Sequence, residues 1–138
     1  MEYSDALIQQ VLSSSPVIAL VGASSKPHRA SNSVMRFLQS KGHKVFPVNP
    51  QCIGQTINGE IVLETIHDVP VRVDMVDIFR RSEVAGETVD EAINANAKTI
   101  WMQLDVIDHL AAKRAEKAGL TVIMDRCPVI EYRRLGMD

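Results

Sequence analysis

The chain has 138 residues, 46% of them hydrophobic, a size and composition typical of one domain, 1–138, with one sizeable core. Its net charge of −2 argues against a general nucleic-acid-binding protein, and no apolar run reaches the roughly 20 residues that a membrane span needs. The amino terminus lacks the basic segment of a secretory signal, so we expect a cytoplasmic protein that does not bind membranes.

Strand and helix patterns alternate from the start of the chain. Residues 4–12 predict an amphipathic helix capped by Ser4, and the continuous apolar run 16–21 predicts a strand buried on both faces. Apolar residues at helical spacing then predict a helix over 31–41, and a second strand follows over 45–48. Two parallel strands joined by a helix form a βαβ unit, whose crossover should be right-handed.

The segment 51–70 is less regular than the rest of the chain. Within it, Asn58 and Gly59 stand between two short apolar pairs and predict a tight turn in a connecting segment. The regular pattern then returns. It predicts a strand over 73–79, a helix from Ser82, a strand over 98–103, a helix from the capping residue Asp108 to Gly119, a strand over 120–124 and a short helix over 128–135 that Pro128 begins.

This alternation predicts the fold class. Strands that alternate with helices of this length are typical of an α/β protein with a three-layer, Rossmann-like open parallel sheet and helices on both faces. We expect about five strands in the order 3-2-1-4-5. Ligands bind such sheets outside the carboxyl ends of the strands, where the strand order reverses. The turns after the first four strands are therefore the candidate ligand-binding segments.

The turn after the first strand has the residues expected of a phosphate site. It reads Gly22-Ala23-Ser24-Ser25-Lys26-Pro27-His28-Arg29 and leads directly into a helix. Small residues allow a phosphate to approach backbone N–H groups and the positive helix end, while the serines, the lysine and the arginine add further donors. No acidic residue occurs between Asp5 and Glu60, a stretch that contains five lysines and arginines. A local anion site is indicated.

The same turns lack the pattern of other nucleotide sites. Of the glycines in G-x-G-x-x-G only Gly22 is present, and the second strand ends in Val48-Asn49-Pro50 without the acidic residue that binds the ribose of NAD. No G-x-x-x-x-G-K-[ST] sequence occurs, which argues against a P-loop triphosphate hydrolase. A phosphate-rich ligand that needs no carboxylate partner fits better. Arg80 and Arg81 follow the third strand, where at least one guanidinium should reach the ligand unless Glu83 or Glu87 pairs with it.

Five blocks in sequence order carry a family resemblance: residues 22–31, 47–50, 76–82, 101–104 and 124–127. Together they resemble the small CoA-binding family of bacterial single-domain proteins, over nearly the whole chain. More distantly, the chain resembles the N-terminal nucleotide-binding domain of the succinyl-CoA synthetase α subunit. The resemblance implies a coenzyme A site in which the first turn holds phosphates, the Asn49-Pro50 turn borders the adenosine and the turns after the third and fourth strands line the remainder. The candidate binding residues are Gly22, Ala23, Ser24, Ser25, Lys26, Arg29, Ser31, Asn49, Pro50, Phe79, Arg80, Arg81 and Gln103.

We expect no metal site and no catalysis by the chain alone. The phosphohistidine of the larger synthetases lies in a second domain, whereas the histidines here are scattered; His28 is a possible phosphate donor and the others are expected at the surface. Asp77, within an apolar strand, either partners a buried donor or acts as a reactive carboxylate. Cys52 and Cys127 have neither zinc-ligand nor disulfide spacing, and Cys127 lacks an evident histidine partner.

Two other functions stay open at this stage. The chain is alternatively a CoA-dependent transferase or ligase component, completed by a protein partner or by homo-oligomerisation. It is otherwise an NAD(P)-binding redox regulator whose basic first turn accepts a 2′-phosphate. The residues do not distinguish free CoA from an acyl-CoA.

Overall fold

A computed structural model of the protein describes residues 2–138 and contains the helices and main strands that the sequence predicts, with bounds that agree to within two residues. The segment 51–70 adds a short hairpin and a 3-10 turn. In chain order, the elements are α1 (Asp5–Ser13), β1 (Val17–Val21), α2 (Ala30–Ser40), β2 (Lys44–Val48), β3 (Thr56–Ile57), β4 (Glu60–Ile61), a 3-10 turn (Ile66–Asp68), β5 (Met75–Ile78), α3 (Ser82–Asn94), β6 (Thr99–Met102), α4 (His109–Lys117), β7 (Thr121–Ile123) and α5 (Pro128–Arg134).

Local side-chain chemistry determines where two of the helices begin. The Ser4 hydroxyl accepts a hydrogen bond from the Leu7 N–H at 3.1 Å, at the start of α1. Asp108 accepts one from the Ala111 N–H at 3.0 Å, at the start of α4. Each oxygen satisfies an amide that the first helical turn leaves without an intrahelical partner. Both predicted caps are confirmed.

The Rossmann-like parallel sheet with helices on both faces is confirmed, but its strand order needs correction. The order is β2-β1-β5-β6-β7, with every pair parallel. Counted along the chain without the small β3–β4 hairpin, this order is 2-1-3-4-5, not the expected 3-2-1-4-5. The third main strand, β5, pairs with β1 on the side opposite to β2. The reversal of strand order therefore lies between β1 and β5.

The outer edge of β2 explains this difference. The Leu63 N–H donates to the Pro47 carbonyl at 2.9 Å, and the Asn49 N–H donates to the Leu63 carbonyl at 2.9 Å. Lys44 of β2 also forms an ion pair at 2.5 Å with Glu60 of β4. The segment that follows β2 thus occupies the edge at which a further strand would pair. The chain then crosses to the free side of β1, where β5 joins the sheet.

Apolar side chains fill both faces of the sheet. Helices α3 and α4 cover one face, and α1, α2 and α5 cover the other. Trp101 lies fully buried on the second face, where its indole N–H donates to the Arg126 carbonyl at 2.9 Å. It is a core residue. Among the described residues, no helix is both long enough and apolar enough to cross a membrane.

A buried histidine connects three parts of this second face. His43 Nδ1 lies 2.7 Å from the Ser15 carbonyl oxygen, and its Nε2 lies 2.6 Å from the Tyr132 hydroxyl. A carbonyl oxygen only accepts, so Nδ1 carries the proton and Nε2 accepts from the tyrosine. Burial lowers the pKa of His43 from its ordinary value of 6.5. The expectation of a surface histidine is wrong at this position.

Substituting Tyr132 with phenylalanine should lower the free energy of unfolding by about 1 kcal/mol at pH 8. The loss should shrink only when the pH falls through the lowered folded-state pKa of His43, because a protonated Nε2 no longer accepts from the tyrosine. Since the folded-state pKa of His43 is lowered, its stabilising contribution is complete above about 6.5 and falls as the pH drops below that value. Urea unfolding at a series of pH values from 8 downwards measures the loss, and a loss that grows as the pH falls would contradict a neutral His43 that accepts from Tyr132.

Candidate functional site

The turns after β1, β2 and β5 meet at the carboxyl edge of the sheet and form one open crevice. They are neighbours because β1 pairs with β2 on one side and with β5 on the other. The crevice has two lobes of about 520 and 510 Å³. Five residues border both lobes: Gly22, Arg29, Asn49, Gln51 and Phe79.

Each lobe has its own set of polar residues. The serine lobe is also lined by Ala23, Ser24, Ser25, Lys26, Ala30, Ser31, Cys52 and Gln55. The arginine lobe is also lined by Val21, Pro50, Arg80, Arg81 and Val84. The crevice thus brings together twelve of the thirteen candidate residues. Gln103 lies outside both lobes, because β6 is separated from β1 by β5.

Gly22 allows two of these turns to approach each other. Its φ is +91°, and a Cβ at this position would lie 2.2 Å from the Phe79 carbonyl oxygen. The Gly22 N–H donates to the Val48 carbonyl at 2.9 Å, so the end of β1 also contacts the end of β2. The close approach of the three turns therefore requires glycine at position 22.

Two asparagine side chains form hydrogen bonds with backbone carbonyls of the first turn. The Asn49 amide donates to the Ala23 carbonyl at 2.9 Å, and the Asn32 amide donates to the Ser24 carbonyl at 2.8 Å. Sequence reasoning missed Asn32, whose burial depends on the hairpin: Asn58 at the hairpin turn donates to the Asn32 carbonyl at 3.2 Å. Nothing in the helical pattern of α2 indicates this contact. These hydrogen bonds tie the first turn to the end of β2 and to α2.

Two helices begin at the crevice with open amino ends. Arg29 occupies the N-cap position of α2 and Arg81 that of α3, and neither side chain forms a capping hydrogen bond. A guanidinium has no acceptor atom, so it leaves the first N–H groups of its helix available. Both the N–H groups and the helix dipole favour an anion at such an end.

Arg80 and Arg81 form no ion pair with neighbouring acidic residues that the structure describes. Within residues 2–138, neither Arg80 nor Arg81 forms an ion pair, so the alternative in which Glu83 or Glu87 neutralises them is wrong. Arg80 is half-buried, and Arg81 is exposed. The exposed side chain of His28 lies outside both lobes. The cations that line the crevice are thus a lysine and three arginines.

Comparison with known proteins shows the family to which the chain belongs. Residues 16–133 match the model of the family described as CoA binding domain. The chain belongs to the CoA-binding domain family. The uncharacterized protein YneT from Bacillus subtilis (strain 168) is 33% identical to it over 124 residues, or 90% of each chain. A hypothetical protein of solved structure from Pyrococcus horikoshii OT3 is 36% identical, with a TM-score of 0.91 over 96% of this chain and 92% of its own.

A larger enzyme contains a similar domain. The dinucleotide forming Acetyl-coenzyme A synthetase 1 from Ca. Korarchaeum cryptofilum is 26% identical over 78% of this CoA-binding domain, with a TM-score of 0.68. The matched part is 25% of the synthetase chain. Family and likeness together support coenzyme A binding in general. They do not extend to the reaction of the whole synthetase.

The two cysteines of this CoA-binding domain are free thiols. Cys52 lines the serine lobe, where its Sγ lies 3.9 Å from the Ala23 carbonyl oxygen. Burial raises the pKa of its thiol, which disfavours the nucleophilic thiolate. Cys127 is buried and lies outside both lobes. Neither thiol is placed as an activated nucleophile.

Asp77 is fully buried beneath the crevice, on β5. Neither of its carboxylate oxygens has a hydrogen-bond partner among the described residues, so the expected pairing with a buried donor is wrong. Burial raises the pKa of this carboxyl well above its ordinary value of 3.8. Desolvation disfavours the charged form, so burial favours the neutral acid at this position.

Asp77→Asn should raise the free energy of unfolding by about 1 to 3 kcal/mol at pH 8, because asparagine needs no proton to remain neutral. The folded protein binds the Asp77 proton more tightly than the unfolded chain, so wild-type stability falls as the pH rises above about 3.8. The gain from asparagine should therefore be smaller at pH 4.5 than at pH 8. Urea unfolding at both values tests this, and a gain that does not depend on pH would contradict a raised pKa.

Proposed function

We propose that the protein binds coenzyme A in the two-lobed crevice and performs no catalysis of its own. One observation carries this proposal: two uncapped helix ends and three arginines face the same crevice. Coenzyme A carries a 5′-diphosphate and a 3′-phosphate, so it presents separated anions that two helix ends and several guanidinium groups can bind.

The distribution of hydrogen-bond donors supports a particular placement of the parts of coenzyme A along the crevice. The small first turn, with the serine hydroxyls, Lys26 and Arg29, suits the diphosphate. The Asn49-Pro50 turn follows β2 directly and suits the adenosine, since Pro50 supplies apolar surface. Arg80 and Arg81 suit a further phosphate. The residues shared by both lobes make the crevice continuous, as an elongated ligand requires.

The same residues argue for binding without turnover. General acid or base catalysis needs a titratable group placed at the reacting atoms, and covalent catalysis needs an activated nucleophile. The crevice offers N–H groups, hydroxyls, amides and cations, together with the Cys52 thiol, whose raised pKa opposes activation. These groups bind and orient phosphates.

Titration calorimetry with CoA, acetyl-CoA, NAD⁺ and NADP⁺ tests the proposed ligand. We expect CoA to bind with a Kd of about 1 μM or tighter, equivalent to roughly −8 kcal/mol, and NAD⁺ to bind far more weakly. The physical reason is the absence of an acidic residue at the end of β2, where NAD sites bind the ribose hydroxyls. Equal or tighter binding of either nicotinamide nucleotide would favour the redox regulator instead.

A separate assay tests the absence of catalysis. Purified protein is incubated with acetyl-CoA, and with CoA, acetate and ATP·Mg²⁺, while mass spectrometry follows the products. We expect no turnover above the rate without protein. Multiple turnovers that vanish in a Cys52→Ser variant would show that the crevice is an active site.

A further inference from the structure

Two buried polar side chains lie close to the crevice and have no role in the proposed binding of phosphates and adenosine. Asp77 is fully buried, and Gln103 is 7% exposed. Among the described residues, both oxygens of Asp77 and the Oε1 of Gln103 lack a hydrogen-bond partner. A buried polar atom without a partner lowers the free energy of unfolding by about 1 to 3 kcal/mol. The three atoms belong to one residue of β5 and to the residue that directly follows β6.

Strand register places the two side chains next to each other. Asp77 pairs with Trp101 across β5 and β6, and the Gln103 N–H donates to the Ile78 carbonyl at 3.2 Å, so the pairing continues to Gln103. Side chains alternate between the faces of a sheet. Asp77 and Gln103 therefore share one face as diagonal neighbours, a separation that long side chains can bridge.

This pair lies one strand beyond the crevice. Phe79 follows Asp77 by two residues and lines both lobes. β6 is the next strand, about 4.8 Å further along the sheet. A ligand that extends from the crevice past Phe79 along this edge of the sheet therefore runs towards Gln103. Coenzyme A has such an extension, the pantetheine arm, which carries two amide groups.

The chemistry of the pair suggests how the carboxamide is oriented. A neutral carboxylic acid donates one hydrogen bond, and the Gln103 Oε1 is a buried acceptor that lacks a donor. An O–H from Asp77 to this oxygen, directly or through one water molecule, would fix the carboxamide. Its NH2 group would then lie on the side away from Asp77. Amide carbonyls of the pantetheine arm are suitable acceptors for that NH2 group.

We propose that Asp77 is a positioning residue that orients the Gln103 carboxamide to bind the pantetheine arm of coenzyme A. This inference rests on the proposed function. It assigns a specificity-determining role to a pair outside the phosphate-binding crevice, and it gives the buried acid a function that offsets its cost in stability.

Comparison of two ligands tests the role of Gln103. Coenzyme A has the pantetheine arm, whereas 3′,5′-adenosine diphosphate has the adenosine and phosphates without it. Gln103→Met should weaken CoA binding by about five- to tenfold, the loss of one or two hydrogen bonds, and leave the Kd of 3′,5′-adenosine diphosphate unchanged. Equal losses for both ligands, or none for either, would overturn the assignment.

Asp77 variants test the positioning step. Asp77→Val, which cannot donate, should show the same selective loss as Gln103→Met, and the double variant should be no weaker than either one. Asp77→Asn keeps a donor and should restore most of the affinity for CoA. If the valine variant does not fold, Asp77→Ala, which also cannot donate, replaces it, and an unchanged affinity for CoA in the variant without a donor would overturn the contact. Failure of wild-type protein to bind CoA would instead refute the proposed function.

Discussion

Gly22→Ala should lower the free energy of unfolding by about 2 to 5 kcal/mol. Two effects add at this position. The φ of +91° is strained for any residue with a Cβ, and the added Cβ would lie 2.2 Å from the carbonyl oxygen of Phe79. Because the clash is with backbone, no side-chain rotation relieves it. The turns after β1 and β5 must separate, so the affinity for CoA should fall even where the variant remains folded.

Gly42→Ala is the matched control for this effect. Gly42 has a φ of +93°, but a Cβ there would meet no atom within 4 Å. It should therefore show only the backbone strain, about 1 to 2 kcal/mol, and bind CoA as the wild type does. Urea unfolding of both variants separates strain from clash. A loss at Gly22 no larger than that at Gly42 would show that the two turns do not depend on close approach.

Much of this fold follows from local patterns in the sequence. The buried run of β1 and the caps at Ser4 and Asp108 are short-range signals that depend on a few neighbouring residues. The same holds for the first turn, because glycine and small polar residues between a buried strand and a helix are a short-range signal of an anion-binding turn. The structure accordingly places the predicted residues of this turn around one crevice.

The features that sequence reasoning missed depend on contacts between distant segments. The strand order is determined by the pairing of Leu63 with the edge of β2, and Leu63 lies in a stretch without a regular pattern. Likewise, Asn32 is buried by Asn58, and His43 by Ser15 and Tyr132. No spacing rule identifies such partners. Because β5 pairs with β1, Phe79, Arg80 and Arg81 lie directly beside the first turn. Gln103 follows β6 and therefore lies one strand further away.

Arg29→Ala should weaken CoA binding by about 1.5 to 3 kcal/mol, a factor of roughly 10 to 150 in Kd. Arg29 lines both lobes and stands at the N-cap of α2, where its guanidinium and the helix end act on the same anion. Its side chain makes no capping hydrogen bond, so the substitution should leave the free energy of unfolding nearly unchanged. Ser24→Ala should have a smaller effect, since its hydroxyl also accepts from the Lys26 N–H at 3.2 Å.

Arg72→Ala provides the matched control, because it removes the same charge at the amino end of β5, where Arg72 donates to the Asn96 carbonyl at 3.0 Å. At physiological ionic strength, charges separated by more than about 8 Å are largely screened, so this variant should bind CoA like the wild type. Calorimetry at two salt concentrations measures both variants. The loss in Arg29→Ala should persist at the higher salt concentration if the guanidinium contacts phosphate directly. An unchanged Kd in folded Arg29→Ala would show that the phosphates do not bind at the start of α2. Equal losses of affinity in the two arginine variants would show that only the net charge of the protein matters.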